Sequence, residues 1–538
     1  MPDRVFKLVW SPRVITPTQR SQWTDMDSML RSLVHGKALL FIIVLSLGGS
    51  FQIGANITLI SSPTPFIKSF INSSWTERYG EAPGENTVTL IWSTIASSYA
   101  FGGLFGSIIV RWITNHLGRK RAMIWNNAIS FVALGTMIAS RFVNSFEMIM
   151  LSRFLFGFTT GLLGLQFFLK PLILFIADCK GLGSSIHGLY LGDSSPKKIR
   201  GIVSLSVALF LSSGKLFGQF MGLSEILGQE DWWNILLSIP AFFSIIQMVT
   251  LPFFPEAPRY LLIEKGNTEQ CKKALQFIWG PGDYKLEIEE MLLEQAALRG
   301  ERSKTLLELL RDRNVRWQLL SLLIIQEAIE FCGISVLSLH SFSIFQEAGI
   351  PVDKIRYVTM GSSKREETAS CGSAEGLLID RVGRRVLLWV GFAIMAVIMA
   401  LMTLTLELKD YSFWIPYSTV ALVFLFFIVY GGGPAGVMPS LTHEIFIQSY
   451  RSAAFVFMGI LIWGGFAVLG FIFPFLLVTL KSFIFVFFSC VCLAASLYIF
   501  FILPETKGKT PLEISEEFRN IRVFGSSTDM DLCLETKL

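Results

Sequence analysis

Long apolar blocks recur along this chain, and nothing else constrains its fold as strongly. Stretches 38–53, 91–110, 235–253, 318–329, 386–405, 413–430, 453–478 and 482–503 approach or exceed the roughly 18–20 residues that cross a hydrocarbon core. No water reaches such a core, so every backbone amide and carbonyl must pair within the segment, and the blocks read as helices. Composition agrees: 52% of the 538 residues are hydrophobic and 16% charged, where a soluble domain carries about a quarter charged residues. The 47 Phe residues suit helices that face lipid. A net charge of +5 carries no nucleic-acid signal. The seven Cys residues lack metal-ligand spacing, and Cys332, Cys490 and Cys492 fall inside apolar blocks as packing residues. No metal, cofactor or nucleic-acid partner is expected; the expected partners are a small molecule and the bilayer.

Twelve spans are predicted, at 38–60, 90–112, 122–140, 147–168, 202–222, 234–253, 317–339, 356–379, 386–406, 414–434, 453–478 and 482–503. The longest polar stretch, 255–316, has helical spacing near 265–278, 286–300 and 304–312, and reads as a solvated helical linker. The expected organisation is an N-terminal segment 1–37, a bundle 38–254, the linker 255–316, a second bundle 317–503 and a tail 504–538. Lys and Arg set the orientation. Basic clusters at Arg119-Lys120-Arg121, Lys197-Lys198-Ile199-Arg200, the linker, Arg381 with Arg384-Arg385, and the tail alternate with connections such as 224–232 that have none. Both termini and the linker are therefore expected in the cytoplasm, with the loop 61–89 outside. That loop carries the sequon Asn72-Ser73-Ser74, which makes Asn72 the expected glycosylation site. Asn56-Ile57-Thr58 also matches but lies within a span. The N-terminal segment lacks a cleavable signal, so the first span is expected to act as an uncleaved one.

The chain repeats itself. Asn115-His-Leu-Gly118-Arg119-Lys120 recurs as Asp380-Arg-Val-Gly383-Arg384-Arg385, 265 positions later. Asp193 with Arg200 recurs as Glu444 with Arg451, offset 251, and Pro255-Glu256 as Pro504-Glu505, offset 249. All lie at cytoplasmic ends of spans. Two parallel six-helix halves form the major facilitator architecture, an all-α membrane fold. The matched charges suggest a cytoplasmic gate network in which Arg119, Arg153, Arg200 and Arg259 surround Asp193 and Glu256. Arg384, Arg385 and Arg451 surround Glu444 and Glu505 in the same way. The blander reading is that Lys and Arg only set topology; it leaves the matched acids unexplained. The repeat also exposes a surplus. Gly118 to Asp193 is 75 residues and Gly383 to Glu444 is 61, so the first half carries about 14 extra, near 162–180.

These residues resemble a known family. Gly118-Arg119-Lys120, Arg153-Phe-Leu-Phe-Gly157, Pro255-Glu-Ala-Pro-Arg259, Gly383-Arg384-Arg385, Gly433-Pro434 and Pro504-Glu-Thr-Lys-Gly-Lys-Thr510 look like sugar porter signatures of the facilitative hexose transporters. Trp92-Ser93, Phe146-Glu147-Met148-Ile149, Arg259-Tyr-Leu-Leu-Ile263 and Gly433-Pro-Ala-Gly-Val437 are similar to the class II branch. The resemblance covers roughly 30–520. It implies a midplane pocket between the halves, with Asn56 of helix one, Gln326, Glu330 and Ser335 of helix seven, Gly433 of helix ten and Trp463 of helix eleven as substrate-binding candidates. Gly431-Gly432-Gly433-Pro434 implies a hinge, because Pro cannot donate to the helical ladder. Helix seven departs from the family's Gln-Gln-Leu-Ser-Gly-x-Asn: Ile329 and Glu330 replace the amides and Ser335 the Asn. Ala208 and Val437 replace the Gln of helix five and the Trp of helix ten. Helix eight carries Lys364, Arg365, Glu366, Glu367 and Glu375, each costing roughly 2.5–3.5 kcal/mol to insert at a span's centre.

The expected function is uniport of a hexose such as fructose or glucose by alternating access, at the plasma membrane. No Gly-x-x-x-x-Gly-Lys-Ser/Thr loop appears, so ATP-driven transport is not expected. Proton-coupled porters that resemble this family have Asp where this chain has Asn56, and a neutral amide cannot cycle a proton. Glu330 leaves symport open. Two alternatives stand beside this reading. One is a urate or organic-anion carrier, which lost amides permit and Glu330 opposes. The other is a non-transporting, sensor-like paralogue, motivated by helix eight and the surplus segment. An enzyme is not expected: His35, His116, His187, His340 and His443 are scattered, with no Ser/His/Asp constellation.

Overall fold

Apolar segments with no other way to pair their backbone become helices, and in the computed structural model every regular element among the described residues is helical. Described are residues 37–164, 186–195, 200–263, 265–280, 282, 284–289, 291–292, 306–351, 354–355, 357–358, 382–446, 448–507, 509 and 511–519. Helix α1 (Ala38–Thr58) crosses first, with a π-helical turn at Leu47–Phe51. Then come α2 (Thr64–Tyr79), α3 (Glu85–Leu117), α4 (Arg119–Phe142), α5 (Phe146–Gly164), α6 (Ile186–Ser194), α7 (Arg200–Met221) and α8 (Trp233–Thr250). The linker holds α9 (Pro258–Ile263), α10 (Thr268–Trp279) and α11 (Leu306–Arg311). The second half runs through α12 (Arg316–Ile329), α13 (Ser335–Leu339), α14 (Ser341–Glu347), α15 (Arg384–Glu407) and α16 (Ile415–Tyr430). It ends with α17 (Gly436–Ile445), α18 (Gln448–Leu480), α19 (Ile484–Phe501) and α20 (Pro511–Arg519).

Eleven of the twelve predicted spans coincide with these helices. The eighth, 356–379, and the surplus segment lie almost wholly outside the described residues. One expectation changes. The segment 61–89 is not only loop: it contains α2, which starts after Pro63 and stops at Gly80, whose φ of 76° ends the helix. Helix α2 buries Ile67, Ile71 and Ser74 and leaves Asn72 exposed.

Glycine decides how closely the helices pack. A methyl at Gly102 or Gly106 of α3 would sit 2.0 or 2.1 Å from the Phe154 or Phe158 carbonyl oxygen of α5. A methyl at Gly157 or Gly161 of α5 would meet the Tyr99 or Gly103 carbonyl at 1.9 or 2.1 Å. Between apolar helices in lipid there is no water to expel, so this backbone proximity supplies the contact energy. The second half packs on one large cluster that includes Phe392, Met399, Phe426, Phe473 and Phe488. A smaller cluster joins the halves, with Tyr99, Ala100 and Phe156 on one side and Trp463 and Ala467 on the other. Phe101, Phe131, Phe242, Phe487 and Phe500 point outward, as a lipid-facing surface requires.

Candidate substrate pathway and charged helix ends

Helix seven breaks where the sequence departs most from an ordinary helix. Between α12 and α13 the backbone takes a π-helical turn, Glu330–Ile334, in which Gly333 has φ 100°. Glu330, buried at the first position of that turn, spans the break. Its Oε1 accepts from Gln326 Nε2 at 3.3 Å and its Oε2 from Ser335 Oγ at 3.0 Å. Three of the six binding candidates therefore form one hydrogen-bonded group. Gly465 of α18 backs it: a methyl there would lie 3.0 Å from Glu330 Cβ and Cγ. The outer piece, α13, packs against α1 of the other half.

Helix ten breaks in the same way. Gly431–Ala435 is π-helical and contains Pro434, which donates no hydrogen bond. Gly433, the fourth candidate, packs on α15, and an added Cβ would stand 3.3 Å from the Leu387 carbonyl oxygen. Trp463, the fifth, lies on the seam. Its six-membered ring fills the space beside Gly103 of α3, where a methyl would be 2.3 Å from Cζ3, and its ring centroid is 6.1 Å from that of Tyr99. Its Nε1 is buried without a hydrogen-bond partner. Asn56, the sixth, is buried on α1, and its Nδ2 donates to the Gln52 carbonyl at 3.1 Å.

Arg153 joins this seam and not the charged helix ends. It lies two turns into α5, about 10 Å from that helix's outer start. Its Nη1 donates to the Asn56 carbonyl at 3.2 Å, and its guanidinium stacks 4.7 Å over the Tyr99 ring. Nε and Nη2 are buried with no partner. The sequence reading grouped it with Asp193 and Glu256. The predicted topology already carried the contrary signal, because span four begins outside. Tyr99, which sequence reasoning missed, is the residue that ties Arg153 to Trp463; it lies mid-span, outside every motif the sequence offered.

At the helix ends that carry the basic clusters, the sequence repeat becomes a repeated structure. Glu256 Oε1 accepts from the Lys120 backbone N at 2.8 Å, at the start of α4. Glu505 accepts from the Arg384 and Arg385 backbone N at 3.0 and 3.2 Å, at the start of α15. Both carboxylates occupy the N-terminal position that the helix dipole favours. Arg119 Nε meets Asp193 Oδ2 at 3.2 Å, and Arg384 Nη2 meets Glu444 Oε1 at 3.0 Å. Gly118 and Gly383 precede these helices, and a methyl on either would lie 2.9 Å from Glu256 or Glu505 Oε2. Each of these pairs joins elements of a single half. Arg259 is the second residue of α9. Arg200 and Arg451 lie in α7 and α18, but their side chains are outside the described residues, as is the charged stretch 364–375.

At the opposite ends of the spans, the Tyr357 hydroxyl of the second half donates to Glu225 Oε1 of the first at 2.7 Å. Burial lowers the ammonium of Lys68 on α2 below its usual pKa. In the sequon, Ser74 Oγ is turned inward and donates to the Asn144 carbonyl at 2.7 Å. Among the described residues no group of His, Cys, Asp and Glu could hold a metal ion.

Comparison with known proteins fits this geometry. The family profile "Sugar (and other) transporter" matches residues 41–165 and 177–518, and the gap falls inside the surplus segment inferred from the repeat. The human solute carrier family 2, facilitated glucose transporter member 9 is 37% identical over 471 residues, covering 88% of this chain and 83% of that protein. Human member 11 is 38% identical over 493 residues, covering 91% and 95%. Human member 5 is 34% identical over 497 residues, covering 92% and 95%. Among solved structures, the inward-open xylose transporter XylE from E. coli aligns with a TM-score of 0.69 at 17% identity, covering 90% of this chain and 99% of that one. This likeness shows the fold: two six-helix halves of the major facilitator type. The chain belongs to the sugar transporter family, a family of membrane carriers and not of enzymes.

Proposed function

We propose that this chain is a facilitative carrier that moves a hexose such as fructose or glucose down its gradient by alternating access. The observation that carries the uniport assignment is Asn56. It is a buried amide that donates to its own helix, beside a guanidinium, with no titratable acid at that position. A neutral amide cannot take up and release a proton in each cycle. The breaks at Glu330–Ile334 and Gly431–Ala435 supply two elements that can bend while the rest of each half stays rigid. The charge pairs at the cytoplasmic ends, each held within one half, stiffen those ends so that the halves rock as units. Names of the relatives support a hexose cargo. The direct test is uptake of labelled fructose and glucose into proteoliposomes. Saturable uptake without an imposed pH gradient is expected; uptake that requires the gradient would overturn uniport.

One observation favours a second reading, carriage of urate or another organic anion. Arg153 holds two buried N–H groups that no protein atom accepts. Competition of labelled fructose by urate separates the two cargoes. The domain boundaries 38–254 and 317–503, cytoplasmic termini, a plasma-membrane location and glycosylation at the exposed Asn72 belong to the same proposal. Asn72→Gln, with a gel-mobility shift lost, tests the last.

A further inference from the structure

The helix-seven group holds a buried carboxyl that a neutral hexose does not need as an ion. Glu330 is buried, and its two carboxyl oxygens receive one neutral donor each, from Gln326 and Ser335. Among the described residues no Lys, Arg or His is paired with it. Glu327, one turn earlier on the same helix and half-buried, adds a second carboxyl group. Cys332 and, on α19, Cys492 are further titratable groups nearby, and Gly465 of α18 packs on Glu330. The seam's guanidinium, Arg153, meets the Asn56 carbonyl and the Tyr99 ring, and its Nε and Nη2 are without a partner; it makes no ion pair with Glu330. A carboxylate removed from water is costly unless a cation or further donors meet it. Each oxygen of Glu330 still has acceptor capacity, since an ionised carboxyl offers about four lone-pair sites. A cationic ligand would supply what the protein leaves out.

We propose that Glu330 selects the cargo by charge, so that this carrier favours an amine-bearing hexose, a hexosamine, over neutral hexoses and excludes anions such as urate. The inference rests on the hexose reading of the site and deepens it. The ring hydroxyls use the pocket as a neutral sugar would. The ammonium group donates to Glu330, replacing neither Gln326 nor Ser335. A urate anion in the same place would face two carboxyl groups, Glu330 and Glu327, which favour an ammonium over an anion. The neutral Gln of the family pattern at this position would make neither distinction.

The test compares labelled glucosamine, N-acetylglucosamine, fructose and urate in proteoliposomes holding the wild-type chain or Glu330→Gln, at a pH where the glucosamine amine is charged. Wild-type protein is expected to carry glucosamine and to reject urate. Loss of a buried charge-assisted hydrogen bond should lower the glucosamine-to-fructose uptake ratio about tenfold or more in Glu330→Gln, and relieve the exclusion of urate. The N-acetylglucosamine-to-fructose ratio, for a ring with no charge, should change far less than the glucosamine-to-fructose ratio. Equal ratios in the two proteins, or wild-type protein that carries fructose and ignores glucosamine, would overturn the proposal. If no neutral hexose is carried, the hexose reading fails by itself. Thermal stabilisation of the purified proteins by glucosamine then decides the charge assignment: stabilisation lost in Glu330→Gln supports it, and stabilisation unchanged refutes it. The same melting curves show whether the variant is folded.

Discussion

Single carboxylates do disproportionate work in this molecule because each meets backbone groups that nothing else can satisfy. Glu505 accepts from the backbone N of Arg384, Arg385, Thr506 and Lys507, at 3.0 to 3.2 Å. Glu256 does the same for Lys120 and Ala257. Glu505→Ala is expected to lower stability by about 1–3 kcal/mol, the cost of leaving such donors without a partner at a helix start. A melting curve in detergent measures it; an unchanged midpoint would show that water replaces the carboxylate without loss. Glu256→Ala should behave alike in the other half, since the same geometry recurs there. At this scale the sequence was a good guide to pairs and a poor guide to depth. Arg119, Asp193, Arg384 and Glu444 meet as the repeat implied. Arg153 does not join them, because a motif names a residue without saying how far along its helix the membrane has been crossed.

At the scale of elements, the two broken helices differ in what allows the break. In helix seven the backbone itself is non-helical at Gly333, whose φ of 100° an L side chain rarely adopts. A methyl there would also stand 2.8 Å from Met399 Cε. Gly333→Ala should therefore cost at least about 1–2 kcal/mol of backbone strain and slow hexose uptake as helix seven straightens. Helix ten keeps its dihedrals helical and lacks a donor at Pro434. Its Gly432 has open space around it. Gly432→Ala should leave the melting temperature nearly unchanged, and uptake rates of the two variants, measured at matched surface expression, test whether helix seven is the more sensitive gate. Equal losses would mean the break in helix seven is incidental.

The whole molecule depends on a seam where the halves meet through few residues. Trp463 occupies the space beside Gly103, so Gly103→Leu would drive a wedge between α3 and α18. Each half retains its own core, so the variant should still purify as a single species by gel filtration while uptake is lost. Uptake at the wild-type rate would show that Trp463 can move aside without consequence. Tyr357 and Glu225 close the outer side of the same seam. Tyr357→Phe removes that hydrogen bond and should shift the halves towards outward opening, read as faster labelling of a cysteine placed on the outer face of α13.

Hydropathy, Lys and Arg bias and internal repetition together determined that this chain crosses a membrane as two matched helical halves. They could, because lipid forbids unpaired backbone and leaves helices as the way to cross. They also located the surplus residues of the first half, which the family match skips at 166–176. Only the tertiary structure decided which polar residues share a site. Ser335 reaches Glu330, itself one helical turn from Gln326, because helix seven takes a π-helical turn broken at Gly333. Arg153, Tyr99 and Trp463 meet because glycines let α3 approach α5 and α18 closely. Such contacts depend on the rotation and depth of each helix, which packing sets and linear spacing does not carry.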